Sequence, residues 1–350
     1  MSKPLVSVVI SCLNGAPWLP NCFAALRKQT IFEKIEVILV DDFSTDGTAE
    51  IGRRELPSFP RWTVLQNTAP MGYTGGNNRG AAAATGEWVM ILNDDTQLEP
   101  AGLEKMIRAM ETSKSDASSS QVASLTDSGK TVPQPLYFDI FGRPSWKEED
   151  ADLAKREPWV KCFMFGGPGF MVRREVWNKI GGFDPKHFMY AEDDDISWKL
   201  WLAGYQAVHV RTAILHHRNP MEDGSWEIST YTRYLVNRNS LLVIAKNGQN
   251  LLLLCLLLQM MMLAVESVFF LGLTRDWKFV KKSYVMAVVD FFKMWPHIRE
   301  QREFIRSIRR RSDWEMIRLF LTIRVNRWDM IKAFFLKGIK PKVKQTKTTT

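Results

Sequence analysis

Three clusters of carboxylates are the side chains in this sequence best suited to do chemistry. Asn93-Asp94-Asp95-Thr96 ends the apolar run Trp88-Val89-Met90-Ile91-Leu92. Neighbouring carboxylates repel unless a cation lies between them or one keeps its proton. A hard divalent ion such as Mg²⁺ or Mn²⁺ takes carboxylate oxygens and bridges to substrate phosphates. Asp41-Asp42, with Asp46 close behind, ends a second apolar run. Glu192-Asp193-Asp194-Asp195 opens a segment of helical spacing. Helix N-termini favour acids, but four contiguous charges exceed what a cap needs, so one of them can serve as a general base. The competing reading is the same for all three: solvated turns and helix caps. Asp46 is expected to do only that.

The elements that must position these groups can be read from periodicity. Residues 5–11, 35–40 and 88–92 are short, apolar and rich in Val, Ile and Leu, which predicts buried strands, and 62–66 reads as a further short strand. Helical spacing follows at 18–29, from Thr48 and at 101–110. Strands that alternate with helices and end in acids predict a parallel sheet with ligands at its carboxyl edge. Residues 71–86 hold Gly72, Gly75, Gly76 and Gly80 among Asn77, Asn78 and Arg79. They predict a loop whose backbone can approach a phosphate, ahead of a helix from Ala81; a flexible turn is the plain alternative. Further on come a strand at 121–125, an exposed loop over 138–158, and an apolar segment at 163–172 broken by glycines. A short helix at 173–180 and a helix at 196–203 ending at Gly204 follow. A strand at 206–210 then leads to His216-His217.

The chain has 350 residues and a net charge of +9, unevenly placed. Residues 274–350 hold 20 basic and 7 acidic side chains, a balance of +13, so residues 1–273 stand at −4. A basic end on an acidic body points to an anionic surface, either nucleic acid or lipid. The four cysteines show no metal-ligand spacing. With a strand expected at the start in place of a signal peptide, reduced thiols in a cytosolic setting are the economical reading.

Residues 251–273 are apolar and long enough for a bilayer, with Gln259 and Glu266 inside. One crossing would put the +13 segment outside, against the positive-inside tendency, and residues 284–295 are short for a second. Helices lying in the interface, or packed on the domain, are expected instead. Residues 298–336 set Phe304, Ile308, Phe320, Trp328, Ile331 and Phe335 near helical spacing among arginines. That composition suits an anionic membrane surface, or a packed helical subdomain with a basic face. Residues 337–350 are Lys-rich and predicted disordered.

Taken together, SVVISCLNG, VDDFSTDGT, GYTGGNNRG, LNDDT, GGFDPKHFMYAEDDDISWKLWLAGY, the His216-His217 pair and Arg238-Asn239 resemble the family-2 glycosyltransferases. The likeness runs from about residue 5 to 242, and GGNNRG and LNDDT look most like the rhamnosyltransferase subset that uses dTDP-rhamnose. It implies an α/β GT-A fold, a mixed and mostly parallel sheet flanked by helices, over 1–245. Membrane-associating helices over 246–336 and the tail at 337–350 would follow. By resemblance, Asp41 and Asp42 hold nucleobase and ribose, and Asn14, Gly75, Gly76, Asn77 and Asn78 line the donor site with Asp94. Asn93 and Asp95 match the ends of the metal-binding Asp-x-Asp motif, for Mg²⁺ or Mn²⁺. Asn93 stands where many members have Asp and offers a neutral oxygen, so the metal leans on Asp95 and its neighbour Asp94. His216 or His217 stands near metal or diphosphate. Glu192 and Asp193 match the acidic pair, with Asp193 as base. The partners implied are a nucleotide-diphosphate sugar and a glycan or lipid-linked acceptor at the cytosolic membrane face, with no nucleic acid.

Two rivals remain. A nucleotidyltransferase needs a basic Gly-rich loop after its first strand, and SCLNGAPWLP has no Lys or Arg. A protein without transferase activity could bind nucleic acid or membrane through the basic end. Its interleaved bulky apolar residues speak against nucleic acid.

Overall fold

The buried apolar runs become the central strands. In the computed structural model, which describes residues 3–125, 131–132, 135–145, 157–218, 227–322 and 342–344, Val6–Cys12 (β1), Ile35–Asp41 (β2) and Trp88–Leu92 (β4) are almost wholly buried. Strands covered on both faces need such near-continuous apolar sequence. With Trp62–Gln66 (β3) at the edge they lie in the order β3-β2-β1-β4, all parallel. The chain steps outward from β1 to β3, then returns to β4 on the other side of β1. Such a reversal leaves a crevice at the carboxyl ends of the two strands it separates.

Beyond β4 the sheet is mixed. Gly169–Arg173 (β10) runs antiparallel between β4 and Ala117–Ser124 (β6). Ala207–His217 (β11) is parallel to β6, and Thr96–Leu98 (β5) and Trp159–Lys161 (β9) pair with β11 antiparallel. Only β5, β9 and β10 oppose the other strands, so the sheet is mixed and mostly parallel as expected. The core under it joins Val8, Ile10 and Met90 to Phe23 and Leu26 of Leu19–Arg27 (α1) and to Leu103 and Met106 of Gly102–Ser113 (α4). Thr48–Glu55 (α2) follows β2, and Arg174–Lys179 (α5) follows β10.

The Gly-rich stretch is a correction. The expected loop is instead a helix, Gly72–Ala83 (α3). A Cβ on Gly76 would collide with Ser11 Oγ, and one on Gly80 with Val9 Cγ1. Small residues at one helical face let α3 lie close on β1 and β2, and tertiary packing overrides glycine's poor helix propensity.

All of these elements belong to one compact unit, residues 1–134, 148–189 and 205–219; residues 135–147, 190–204 and 220–350 form another. Among the described residues, the second unit has two small ribbons, one of them Tyr137–Phe138 (β7) with Pro144–Ser145 (β8), and several helices. Its helices are Glu192–Leu202 (α6), Thr230–Asn247 (α7), Leu253–Thr274 (α8), Trp277–Val280 (α9), Met286–Lys293 (α10), Trp295–Ile308 (α11) and Asp313–Phe320 (α12). Its core gathers Leu241, Leu242, Leu263, Phe270, Tyr284, Phe291 and Ile298. The boundary expected at 245 falls inside α7, and the 192–195 acids group with the C-terminal helices. Glu227–Ser229 (β12) pairs parallel with Lys342–Lys344 (β13), so three residues of the expected disordered tail are a strand. The rest of that tail, Trp328, Ile331 and Phe335, and most of the 138–158 loop lie outside the described residues.

Helix α8 is inside out. Gln259 and Glu266 are buried with Leu263 and Phe270, while Leu254, Leu257, Met261, Val265 and Val268 are exposed.

Candidate active site

The carboxyl ends of β1, β2 and β3 are tied by short polar contacts. Asp42 is buried; Oδ1 accepts from Asn67 Nδ2 at 2.6 Å and from Met71 N at 2.8 Å, and Oδ2 accepts from Gly72 N at 2.8 Å. A carboxylate that takes N–H groups at the start of a helix suits the helix dipole. Asp41 accepts from Ser44 N at 3.0 Å and Gln66 Nε2 at 3.1 Å. Gln66 and Asn67 were not singled out in the sequence, although they too are polar residues ending a strand. Asn14 is left-handed, with φ 58°. Its Oδ1 accepts from Thr45 N at 3.0 Å. Asp46, one residue before the N-cap Gly47, accepts from Thr48 N and Thr48 Oγ1 and also from Ala16 N, bonds that hold its carboxyl below the usual range against a counteracting effect of burial.

Beside β1, the turn after β4 is crowded and acidic. Burial, reinforced by the Asp95 charge, pushes Asp94 up to about 6. A Cβ on Gly15 would collide with the Asp94 carboxylate. Burial first, then Asp94 and Asp41, raises the Cys12 thiol well above its ordinary value. The ends of β1, β2 and β4 therefore share one electrostatic neighbourhood. Asn93 Oδ1 and Asp95 Oδ1 are buried acceptors with no hydrogen-bond donor. His217 Nε2 lies 3.3 Å from Asp95 Oδ1. Alternate residues of a strand face opposite ways, and His216 instead meets Glu99 Oε1 at 3.6 Å. Arg218 stacks its guanidinium 4.2 Å from the centre of the Trp18 ring. Asp95 Oδ1 and the imidazole nitrogen beside it are ligands of the kind a divalent Mn²⁺ or Mg²⁺ takes, and Asn93 Oδ1, two residues earlier, is a further buried oxygen without a donor.

Within α3, Gly75 packs on Met71 and Gly76 on Ser11. Asn77 is buried and donates to Tyr73 O at 2.9 Å. Asn78 donates to Phe183 O at 2.8 Å and accepts from Phe183 N at 2.9 Å, which holds the Gly181-Gly182 turn.

In the second unit, Tyr190 and Ala191 are both left-handed, at φ 69° and 61°, just before α6. Non-glycine residues persist there only where the surroundings fix them, often at functional sites. Asn239 Nδ2 holds Tyr190 O at 2.8 Å, and Arg238 Nε reaches Asn239 Oδ1 at 2.9 Å. Burial, with the Asp193 charge added, raises Glu192 well above its ordinary value. Asp193 is half-buried. Burial outweighs Arg143 and pushes Asp194 up to about 6. Asp195 lies between Lys246 at 3.0 Å and Lys199 at 3.6 Å. The four contiguous acids thus have four different surroundings.

A mixed sheet with an acid-lined carboxyl edge at its strand reversal is the architecture of GT-A nucleotide-sugar transferases, and the solved structures that resemble this chain share that fold. Residues 7–181, half of the chain, match the family described as Glycosyl transferase family 2. The protein belongs to that family and is a glycosyltransferase. A curated relative, N-acetylglucosaminyl-diphospho-decaprenol L-rhamnosyltransferase of Mycobacterium tuberculosis, is 27% identical over 241 residues, 61% of this chain and 76% of the relative. Staphylococcus aureus TarS 1–349, solved with UDP-GlcNAc, is 18% identical with a TM-score of 0.58, covering 87% of this chain and 90% of that one. The mannosyltransferase PcManGT of Pyrobaculum calidifontis, solved with GDP-Man and Mn²⁺, is 19% identical with a TM-score of 0.52, covering 88% and 86%.

Proposed function

We propose that this glycosyltransferase moves a sugar, with inversion, from a nucleoside-diphosphate donor to a glycan on a lipid carrier at the cytosolic face of a membrane. Rhamnose is the sugar favoured by the likeness to the mycobacterial L-rhamnosyltransferase, and the GGNNRG and LNDDT motifs favour dTDP-rhamnose as its donor. The observation that carries the reading is the set of Asn93 Oδ1, Asp95 Oδ1 and His217 Nε2 at the strand reversal. Those atoms would hold Mg²⁺ or Mn²⁺, which supplies positive charge against a departing diphosphate. Asp41, Asp42 and Asn14 shape the donor side, with the amino end of α3 fixed by Asp42. Asp193 takes the proton of the acceptor hydroxyl as its oxygen bonds to the anomeric carbon and the bond to the diphosphate breaks. The exposed apolar face of α8 favours a peripheral or monotopic membrane attachment. By length and composition this helix could also cross a bilayer.

The test pairs binding with turnover. A panel of nucleotide sugars is scored for thermal stabilisation with and without Mn²⁺, then for transfer to a polyprenyl-diphosphate glycan. Asp193→Asn should keep donor binding and lose roughly 10²–10⁴-fold in transfer. Near-normal turnover would remove Asp193 from the mechanism.

A further inference from the structure

Away from the acid-lined strand ends, the second unit has an open pocket lined by cations. Arg302 and Arg306 lie one helical turn apart on α11, Arg309 follows at its C-terminal end, and Lys246 closes α7. Gly248 and Gln249, which lead into α8, form the remaining wall with Ile305. Three arginines therefore line one cavity, while the ammonium of Lys246, 1% exposed, is held on Asp195. Their counter-charges are few. Asp313 bonds Arg309 Nη1 at 3.0 Å but also caps the Gln249 and Leu252 N–H groups. Asp195 pairs with Lys246 but is shared with Lys199. Among the described residues, Arg302 and Arg306 have no carboxylate within ion-pair distance. Arg302 Nη1 instead donates to the Ala245 and Gly248 carbonyls.

A second observation marks the pocket as a place for a ligand. The Arg309 side chain is 8% exposed, and its Nε is buried with no acceptor. A buried charged donor without an acceptor is costly. Like charges and burial hold the Arg302 guanidinium below its ordinary pKa, burial first. An anion in the pocket relieves each of these costs. The chain leaving the pocket at Gln249 passes exposed Leu251 and enters α8, where Leu254 begins the exposed apolar face.

We propose that Arg302, Arg306 and Arg309 form a binding site for a phosphate group, carried on a lipid whose chain lies along the exposed face of α8. Guanidinium groups match phosphate oxygens in geometry and charge, and a basic pocket beside an apolar helix suits a lipid headgroup. The site uses no donor-binding residue and does not depend on the transfer chemistry.

The experiment follows thermal unfolding of the full chain at fixed ionic strength, with inorganic phosphate or the short-chain lipid dihexanoyl phosphatidic acid added. Both should raise Tm, the lipid at roughly tenfold lower concentration, because buried methylenes add affinity. Arg306 is exposed, so Arg306→Glu should fold and lose both responses. Arg299→Glu, on the same helix outside the pocket, should keep them. Asp193→Asn should respond like the unaltered protein, which separates this site from the transfer reaction. Absence of stabilisation, an unchanged response in Arg306→Glu, or equal loss in Arg299→Glu overturns the site. Equal potency of phosphate and lipid overturns the lipid chain as its carrier.

Discussion

His217 stands 3.3 Å from Asp95 because β11 runs antiparallel to β5, and that pairing sets His217 opposite Thr96. Two motifs far apart in sequence become one cluster through a three-residue ladder. If that cluster holds a divalent ion, Asp95→Asn and His217→Ala should each weaken Mn²⁺ binding by at least about tenfold, judged against the cost of even indirect changes at metal sites. Calorimetric titration of Mn²⁺ into the donor-free protein reads this directly. His216→Ala, directed at Glu99, should leave affinity near normal. Full activity in excess chelator would count against a metal.

The α3 glycines should tolerate nothing larger. Gly80→Ala puts a methyl into Val9 and against Val40. Such overpacking should cost about 1–3 kcal/mol in urea unfolding. Gly272→Ala, on α8 with nothing near its Cβ, should instead be neutral or stabilise by up to about 1 kcal/mol. The opposite signs test packing against simple helix propensity.

His209 makes the fold acid-sensitive away from the site. It is buried, with Nε2 3.0 Å from Gln121 Oε1 and Nδ1 3.2 Å from Ser119 Oγ. Burial, aided by the Arg211 charge, lowers its pKa to about 3. The unfolded chain therefore takes up the proton first. The stabilisation from this group is complete above about pH 6.5 and is lost as pH falls toward about 3. The loss should reach about 3 kcal/mol near pH 4. Urea unfolding as a function of pH should show that slope, and His209→Gln should flatten it whatever its effect at neutral pH.

The outward face of α8 should govern membrane attachment. Leu257, Met261 and Val265 are exposed, so changing all three to Ser removes little packing. Co-sedimentation with phosphatidylglycerol vesicles should weaken at least roughly tenfold, while Tm holds or rises. Unchanged vesicle binding with normal Tm would place the attachment elsewhere.

The strands 5–11, 35–40 and 88–92 were legible because each is a short apolar run whose burial is written in its composition, whereas 62–66 is a half-exposed edge strand. The acid turns after them were legible for the same local reason. The 71–86 segment misled because glycine signals a loop in isolation, whereas here its small volume lets a helix sit on Ser11 and Val9. The sequence left His216 and His217 equivalent, and strand alternation together with the β5 pairing separated them.

Local pattern, then, carried the alternation of elements, the acid-tipped strands and the family, since those depend on residues near one another in the chain. Tertiary structure alone decided three things: β10 lies between β4 and β6, Asp95 finds His217, and Gln259 and Glu266 of α8 turn inward while Leu254, Leu257, Met261, Val265 and Val268 face out. Each depends on which distant segment supplies the neighbouring surface, and strand order and helix facing are set by packing across the chain rather than by propensity along it.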